Sequence, residues 1–197
     1  MLIWLFSLRR FWSITICSLL VAACGAEPRF RSTDITGVEY GSRLELTDHT
    51  GRRRTLEDFR GKAVVLFFGF AQCPDVCPTT LAQISGALKE LGTDADRVQV
   101  LFVTVDPERD SPQVLADYVA AFDPRILALR GDAEATQRAA KEFKIYYEKR
   151  KQGDGYTVDH SAQTYVIDPQ GRLRLLVRHE RLAQDLAPDL KALLGSG

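Results

Sequence analysis

Apolar residues along this chain follow two rhythms. Unbroken runs at 63–70 and 98–105 are β-branched and aromatic and carry no charge, which predicts two buried strands. Elsewhere the apolar positions recur at helical spacing. Leu81, Ile84 and Leu88 share one face of a helix that starts near Pro78, where a missing N–H costs nothing. Val114, Leu115, Tyr118, Val119 and Phe122 form the buried face of a second helix, with Ser111 as its cap and Pro112 at its first position. A third helix is predicted over 133–143. A fourth spans 181–194, where Pro188 either kinks it or marks its real start. Shorter strands fall at 44–47 and 52–55, a hairpin around Asp48-His49-Thr50-Gly51, and at 126–129. Further strands fall at 145–149, leading into a polar loop over 150–155, and at 161–167, with 173–177 as hairpin partner across Asp168-Pro169-Gln170-Gly171. Leu56 and Phe59 pack a short turn, and Tyr146-Tyr147 reads as sheet packing. Strands alternating with helices and closing on a hairpin and a helix predict an α/β domain with a mixed central sheet flanked by helices.

The start of the chain breaks this pattern. Arg9-Arg10 precede an apolar run at 11–23 that ends in small residues, the layout of a signal peptide and short for a membrane-spanning helix. Leu20-Val21-Ala22-Ala23-Cys24 resembles the lipobox of bacterial lipoproteins, in which Cys24 becomes the lipidated N-terminus. The other reading is an uncleaved anchor. Either way the domain faces an oxidising compartment. The expected organisation is a lipoprotein signal at 1–23, a polar linker at 24–40 and one domain at 41–197.

Formal charge is zero, with 26 basic and 26 acidic side chains, so nothing points to a nucleic-acid partner. The arginines at 52–54 read as a solvated strand. Of four cysteines, Cys17 lies in the signal and Cys24 takes the lipid, which leaves Cys73 and Cys77 as the thiols of the domain. An intramolecular disulfide in a monomer is then Cys73–Cys77.

That pair holds the chemistry. Cys73-Pro74-Asp75-Val76-Cys77-Pro78 lies where a buried strand gives way to a helix N-terminus, whose positive end favours thiolate. Thiols there exchange with disulfides or hold a soft metal, and the alternative is a structural disulfide or two inert thiols. A cysteine pair between a strand and the first helix of an α/β fold is the thioredoxin arrangement. The C-x-x-x-C spacing, however, is one residue longer than that of disulfide oxidoreductases and allows both sulfurs to face a third ligand. His49, in a hairpin turn, and His179, after the last hairpin strand, read as surface residues. His160, before the strand expected beside 63–70, is either a metal ligand or a buried structural histidine. Asp106, in Asp106-Pro107-Glu108-Arg109-Asp110, is either an acceptor behind the metal ligands or a weak extra ligand, or else part of a loop fixed by an Arg109 ion pair plus a cap for the next helix.

Phe68-Gly69-Phe70 with the C-x-x-x-C loop, then Val105-Asp106-Pro107-Glu108-Arg109-Asp110, then Val158-Asp159-His160-Ser161 together resemble the Sco/SenC family of copper proteins that assemble cytochrome c oxidase. The resemblance runs from about Leu44 to the C-terminus. Ala71-Gln72 replaces the Thr-His pair often seen in the family, which removes one nearby imidazole. The resemblance implies a thioredoxin-like fold with copper on Cys73, Cys77 and His160. It further implies delivery of Cu(I) or Cu(II) to the dinuclear copper site of the oxidase's copper-bearing subunit, with another periplasmic copper carrier as a second partner. A monomeric, membrane-anchored lipoprotein of the bacterial envelope, facing the periplasm, is expected. Two rivals stand beside the chaperone: a thiol–disulfide reductase that keeps the oxidase cysteines reduced, and a redox or copper sensor. A peroxidase is disfavoured, because both thiols share one loop.

Overall fold

A computed structural model describes residues 28–195. Ten strands and four α-helices follow in chain order. They are β1 (Thr33–Asp34), β2 (Glu45–Asp48), β3 (Arg53–Thr55), β4 (Ala63–Gly69), α1 (Val76–Leu91), β5 (Val98–Thr104), α2 (Pro112–Ala120), β6 (Leu127–Arg130), α3 (Ala133–Glu142), β7 (Tyr147–Gln152), β8 (Gly155–His160), β9 (Thr164–Ile167), β10 (Leu173–Val177) and α4 (Leu182–Gly195). Eight strands form one sheet in the order β1-β10-β9-β4-β5-β6-β2-β3, while β7 and β8 pair only with each other.

The sheet is mixed because of how its strands are joined. β4, β5 and β6 run parallel, linked through α1 and α2, whereas β9 lies antiparallel on the other side of β4. β4 therefore sits mid-sheet, and every one of its residues is buried, which is why it reads as a continuous apolar run instead of an alternating one. Leu81, Ile84 and Leu88 of α1 are buried as their spacing predicts. The Ser111 hydroxyl accepts the Val114 N–H of α2, with Pro112 beside it. Val114 itself departs from expectation: it is 39 % exposed, and Leu115 and Val119 carry the buried face.

Pro188 does not break α4. Lacking an N–H, it leaves the Gln184 carbonyl without its helical partner, and Arg31 Nη1 donates to that oxygen at 3.3 Å. One residue on, the buried Asp189 carboxylate accepts the Arg31 and Ser32 backbone N–H groups at 2.7 and 2.9 Å. Residues 31–34, within the stretch expected as a linker, are thereby pinned to α4 and to β10. The other departures lie near the candidate site. Residues 150–152, expected in a loop, extend β7, and β8 returns antiparallel to it. The strand expected at 161–167 is confined to Thr164–Ile167, so His160 ends a strand of its own hairpin. Tyr146, expected to pack, is 54 % exposed. Among the described residues no helix is long and apolar enough to cross a membrane; the predicted signal and Cys24 lie outside them.

Candidate metal centre

The chain leaves the carboxyl end of β4 at Gly69, turns through 70–75 and enters α1 at Val76. This is the end of a parallel strand at which α/β sheets gather their ligands. Cys77 is buried in the first turn of the helix, and its backbone N–H points at Cys73 Sγ at 3.4 Å. Cys73 is half-buried at the mouth of a cleft of about 360 Å³ that it shares with Phe70, Val76 and His160. Gly69 makes this packing feasible. A Cβ there would lie 2.7 Å from Cys77 Sγ and 2.9 Å from the Phe102 ring, closer than such atoms approach. Gly69 belongs to the Phe68-Gly69-Phe70 motif, but its packing role is visible only in the fold.

The imidazole comes from the other side. His160 closes β8, and its Nε2 lies 3.3 Å from Cys77 Sγ across 83 residues of chain. Nδ1 lies 2.8 Å from the Ser161 carbonyl, which only accepts, so Nδ1 carries a proton and Nε2 is the ring nitrogen turned to the sulfurs. The edges of Phe67 and Phe70 hold the ring, with centroids 6.1 and 5.8 Å away. The two sulfurs and Nε2 all lie within 4.8 Å of one another, spacing that one metal ion spans at bonds of roughly 2.0–2.3 Å.

The two thiols are electrostatically unequal. A hydrogen bond from Cys77 holds the Cys73 thiol far below its ordinary range against the cost of burial; His160 and the Asp75 and Cys77 N–H groups add to it. Cys77 moves the opposite way, because it donates to Cys73 and is more deeply buried. The resting pair is a thiolate at the mouth and a thiol beneath it. Two soft sulfurs and one imidazole suit copper; zinc also accepts such a set.

Asp106 is fully buried, paired with Arg109 Nε, and its Oδ1 accepts the Tyr156 hydroxyl at 2.9 Å. Its backbone N–H donates to Thr104 Oγ1. These contacts fix the loop through the expected Arg109 ion pair. Asp110 accepts from the Ala71 N–H at 3.1 Å and from Thr104 Oγ1, and burial raises its pKa. The Arg109–Asp106 ion pair is an expectation of the sequence, but the contact of Arg109 with Tyr156 is not, because their meeting depends on the hairpin. The two histidines expected at the surface are half-buried and engaged: His49 Nδ1 accepts the Ala128 N–H at 3.2 Å, and His179 Nδ1 lies 2.9 Å from the Thr80 hydroxyl. Neither joins the cysteine group.

Comparison with known proteins places these features in a family. The SCO1/SenC family model matches residues 33–195. A mitochondrial SCO2 homolog from Danio rerio is 45% identical over 133 residues, which cover 65% of this chain and 47% of the relative. The chain spans about half the length of the curated relatives it matches. Among solved structures, apo Sco1 from Thermus thermophilus is 41% identical with a TM-score of 0.76, covering 86% of this chain and 100% of that one. Bradyrhizobium japonicum ScoI, solved with copper bound, is 39% identical with a TM-score of 0.72, covering 77% of this chain and 98% of that one.

Proposed function

The chain belongs to the SCO1/SenC family, and from that premise we propose that it is a copper chaperone that delivers copper to the dinuclear copper site of cytochrome c oxidase during assembly. The observation that carries the reading is the convergence of Cys73 Sγ, Cys77 Sγ and His160 Nε2 within 4.8 Å. Copper is the cargo. The two thiolates hold it as Cu(I), and the imidazole raises affinity for Cu(II). Three ligands beside an open cleft leave a face through which a partner's ligands take the ion. Asp106 acts behind the ligands through Arg109 and Tyr156. Copper bound to the Bradyrhizobium relative supports the same cargo here. We further propose that residues 1–23 are a signal peptide and that acylated Cys24 holds the domain on the periplasmic side of the membrane, where it works as a monomer with the copper-bearing oxidase subunit and a copper carrier.

The unequal thiols favour one rival. A Cys73 thiolate attacks a partner disulfide, Cys77 then releases the partner, and Cys73–Cys77 is left oxidised as two electrons and two protons pass to the partner. His160→Ala separates the two readings, since it deletes the nitrogen ligand and keeps the dithiol. The chaperone reading expects cells carrying only this variant to fail in oxidase assembly. Oxidase activity at the wild-type level without added copper would establish the reductase instead.

A further inference from the structure

The hairpin β7–β8 stands outside the main sheet. Val158 packs in the core and Tyr147 and Tyr156 against it, but the hairpin's polar attachment is narrow. Apart from the contacts of His160 and those with the flanking residues Tyr146 and Ser161, the polar contacts described between residues 147–160 and the body go to the 106–109 loop. Arg109 Nη1 donates to the Tyr156 carbonyl at 2.8 Å, the Tyr156 hydroxyl donates to Asp106 at 2.9 Å, and Lys149 pairs with Glu108 at 2.6 Å. The last is an exposed ion pair that contributes little. Arg109 does most of the polar joining. Its guanidinium stacks on the Tyr156 ring, 3.9 Å from the centroid, and faces Phe70 at 5.8 Å. The same Nη1 reaches Gln72 Oε1 of the cysteine turn at 3.2 Å, while Nε pairs with buried Asp106.

One planar fork therefore touches the cysteine turn, the loop after β5 and the hairpin that ends in His160. Lysine, a point charge without a stacking face, cannot make that set of contacts. We propose that Arg109 is a positioning residue for the metal centre: it latches the hairpin so that His160 stays over the thiols, and loosening it removes the nitrogen ligand while the sulfurs remain in place. The thiols need no such latch, because Cys77 is packed into the core beneath Gly69. The latch thus sets whether copper sees three ligands or two, and hence how readily a partner takes the ion. This role rests on the ligand set proposed above.

The test uses the full chain in detergent. Amide hydrogen exchange is read in the metal-free state, and nitrogen hyperfine coupling is read by electron paramagnetic resonance after addition of Cu(II). In Arg109→Ala, exchange across the β7–β8 pairs should accelerate at least tenfold while β4 and β5 keep wild-type rates. The nitrogen coupling should fall and return on addition of free imidazole, and Cu(I) should still bind. Arg109→Lys should lie between. Should Arg109→Ala leave too little folded protein, Tyr156→Ala removes the stacking surface without stranding a buried charge and should show the same local effects. Wild-type exchange and coupling in both variants would overturn the proposal. Acceleration spread equally over hairpin and core would also overturn it, since that reports general stability. A wild-type chain without nitrogen-coupled Cu(II) would sink the ligand set, while the exchange measurement would still decide the latch.

Discussion

The two halves of the metal centre are held in opposite ways. The thiol half grows out of a strand buried along its whole length, and Cys77 is itself part of the core. The imidazole half ends a two-stranded hairpin that pairs with no other strand, and beyond His160 and its flanking residues its polar contacts reach the body through one loop. Local opening is easiest where few buried contacts must break. A site built of one rigid and one detachable half can hold an ion firmly and still give it up. The thiols fix where copper sits, and the imidazole fixes how completely it is enclosed.

Deleting ligands from each half tests this contrast most directly and has the largest expected effect. Cys77→Ser should weaken Cu(I) and Cu(II) binding together, by more than the roughly ten- to hundredfold typical of outer-shell changes. His160→Ala should exceed that range for Cu(II) and weaken Cu(I) less, because two sulfurs still suit Cu(I). Competition titrations with chelators of each ion measure both. Equal losses for the two ions in His160→Ala would show the halves to be equivalent.

The same contrast explains what could be read from the sequence. The thiol half was legible because its determinants are local: an apolar run, two cysteines, a proline and the i, i+3, i+7 face that follows all lie within about one strand and one helix. The imidazole half was legible only in part. His160 stood out through motif and fold, but the strand expected to follow it directly starts only at Thr164, and His160 ends a separate strand, β8. Residues 150–152 looked like loop because five of six β7 positions are exposed and so lack apolar alternation. The latch was hidden for the same reason, since Arg109 and Tyr156 are 47 residues apart and share no pattern. Gly69 and Pro188 stood out as residues, but the close approach at Gly69 and the Arg31 contact to the freed Gln184 carbonyl depend on distant chain and were not legible.

Within the thiol half, the charge asymmetry predicts the next largest effect. Cys73 has its pKa lowered chiefly by the Cys77 hydrogen bond, so its thiolate fraction persists as pH falls well below the ordinary thiol value near 8.5. Cys77 has its pKa raised and stays protonated over the same range. Alkylation of the reduced, metal-free chain, followed by mass spectrometry from pH 5 to 9, should label Cys73 first throughout, by about a hundredfold or more at pH 7. Rates that merge at pH 7 would mean that the thiols do not share a proton this way. Gly69→Ala should then strain this half alone. The added methyl meets Cys77 Sγ and Phe102, an overpacking worth about 1–3 kcal/mol. Chemical denaturation should register that loss, and Cu(I) affinity should fall while hairpin amide exchange stays unchanged.

The smallest expected effect sharpens the comparison by setting one imidazole against another. His179 follows β10, on the end of the sheet that carries the cysteine turn, and its Nδ1 meets the hydroxyl of Thr80, one turn beyond Cys77 on α1. It braces the rigid half and coordinates nothing in the cysteine group. His179→Ala removes one partly buried hydrogen bond, a loss of about 0.5–1.5 kcal/mol. Thr80 is buried, so its hydroxyl loses its partner and the cost should fall toward the upper end of that range. Because α1 is also held by Leu81, Ile84 and Leu88, Cys77 should not move. Affinities for Cu(I) and Cu(II) should therefore stay within about twofold of wild type, since a contact that leaves the ligand atoms in place changes binding by only a few tenths of a kcal/mol. A much larger loss for Cu(II) alone would make His179 a second nitrogen ligand, and the enclosure of copper would then depend on the rigid half as well as on the hairpin.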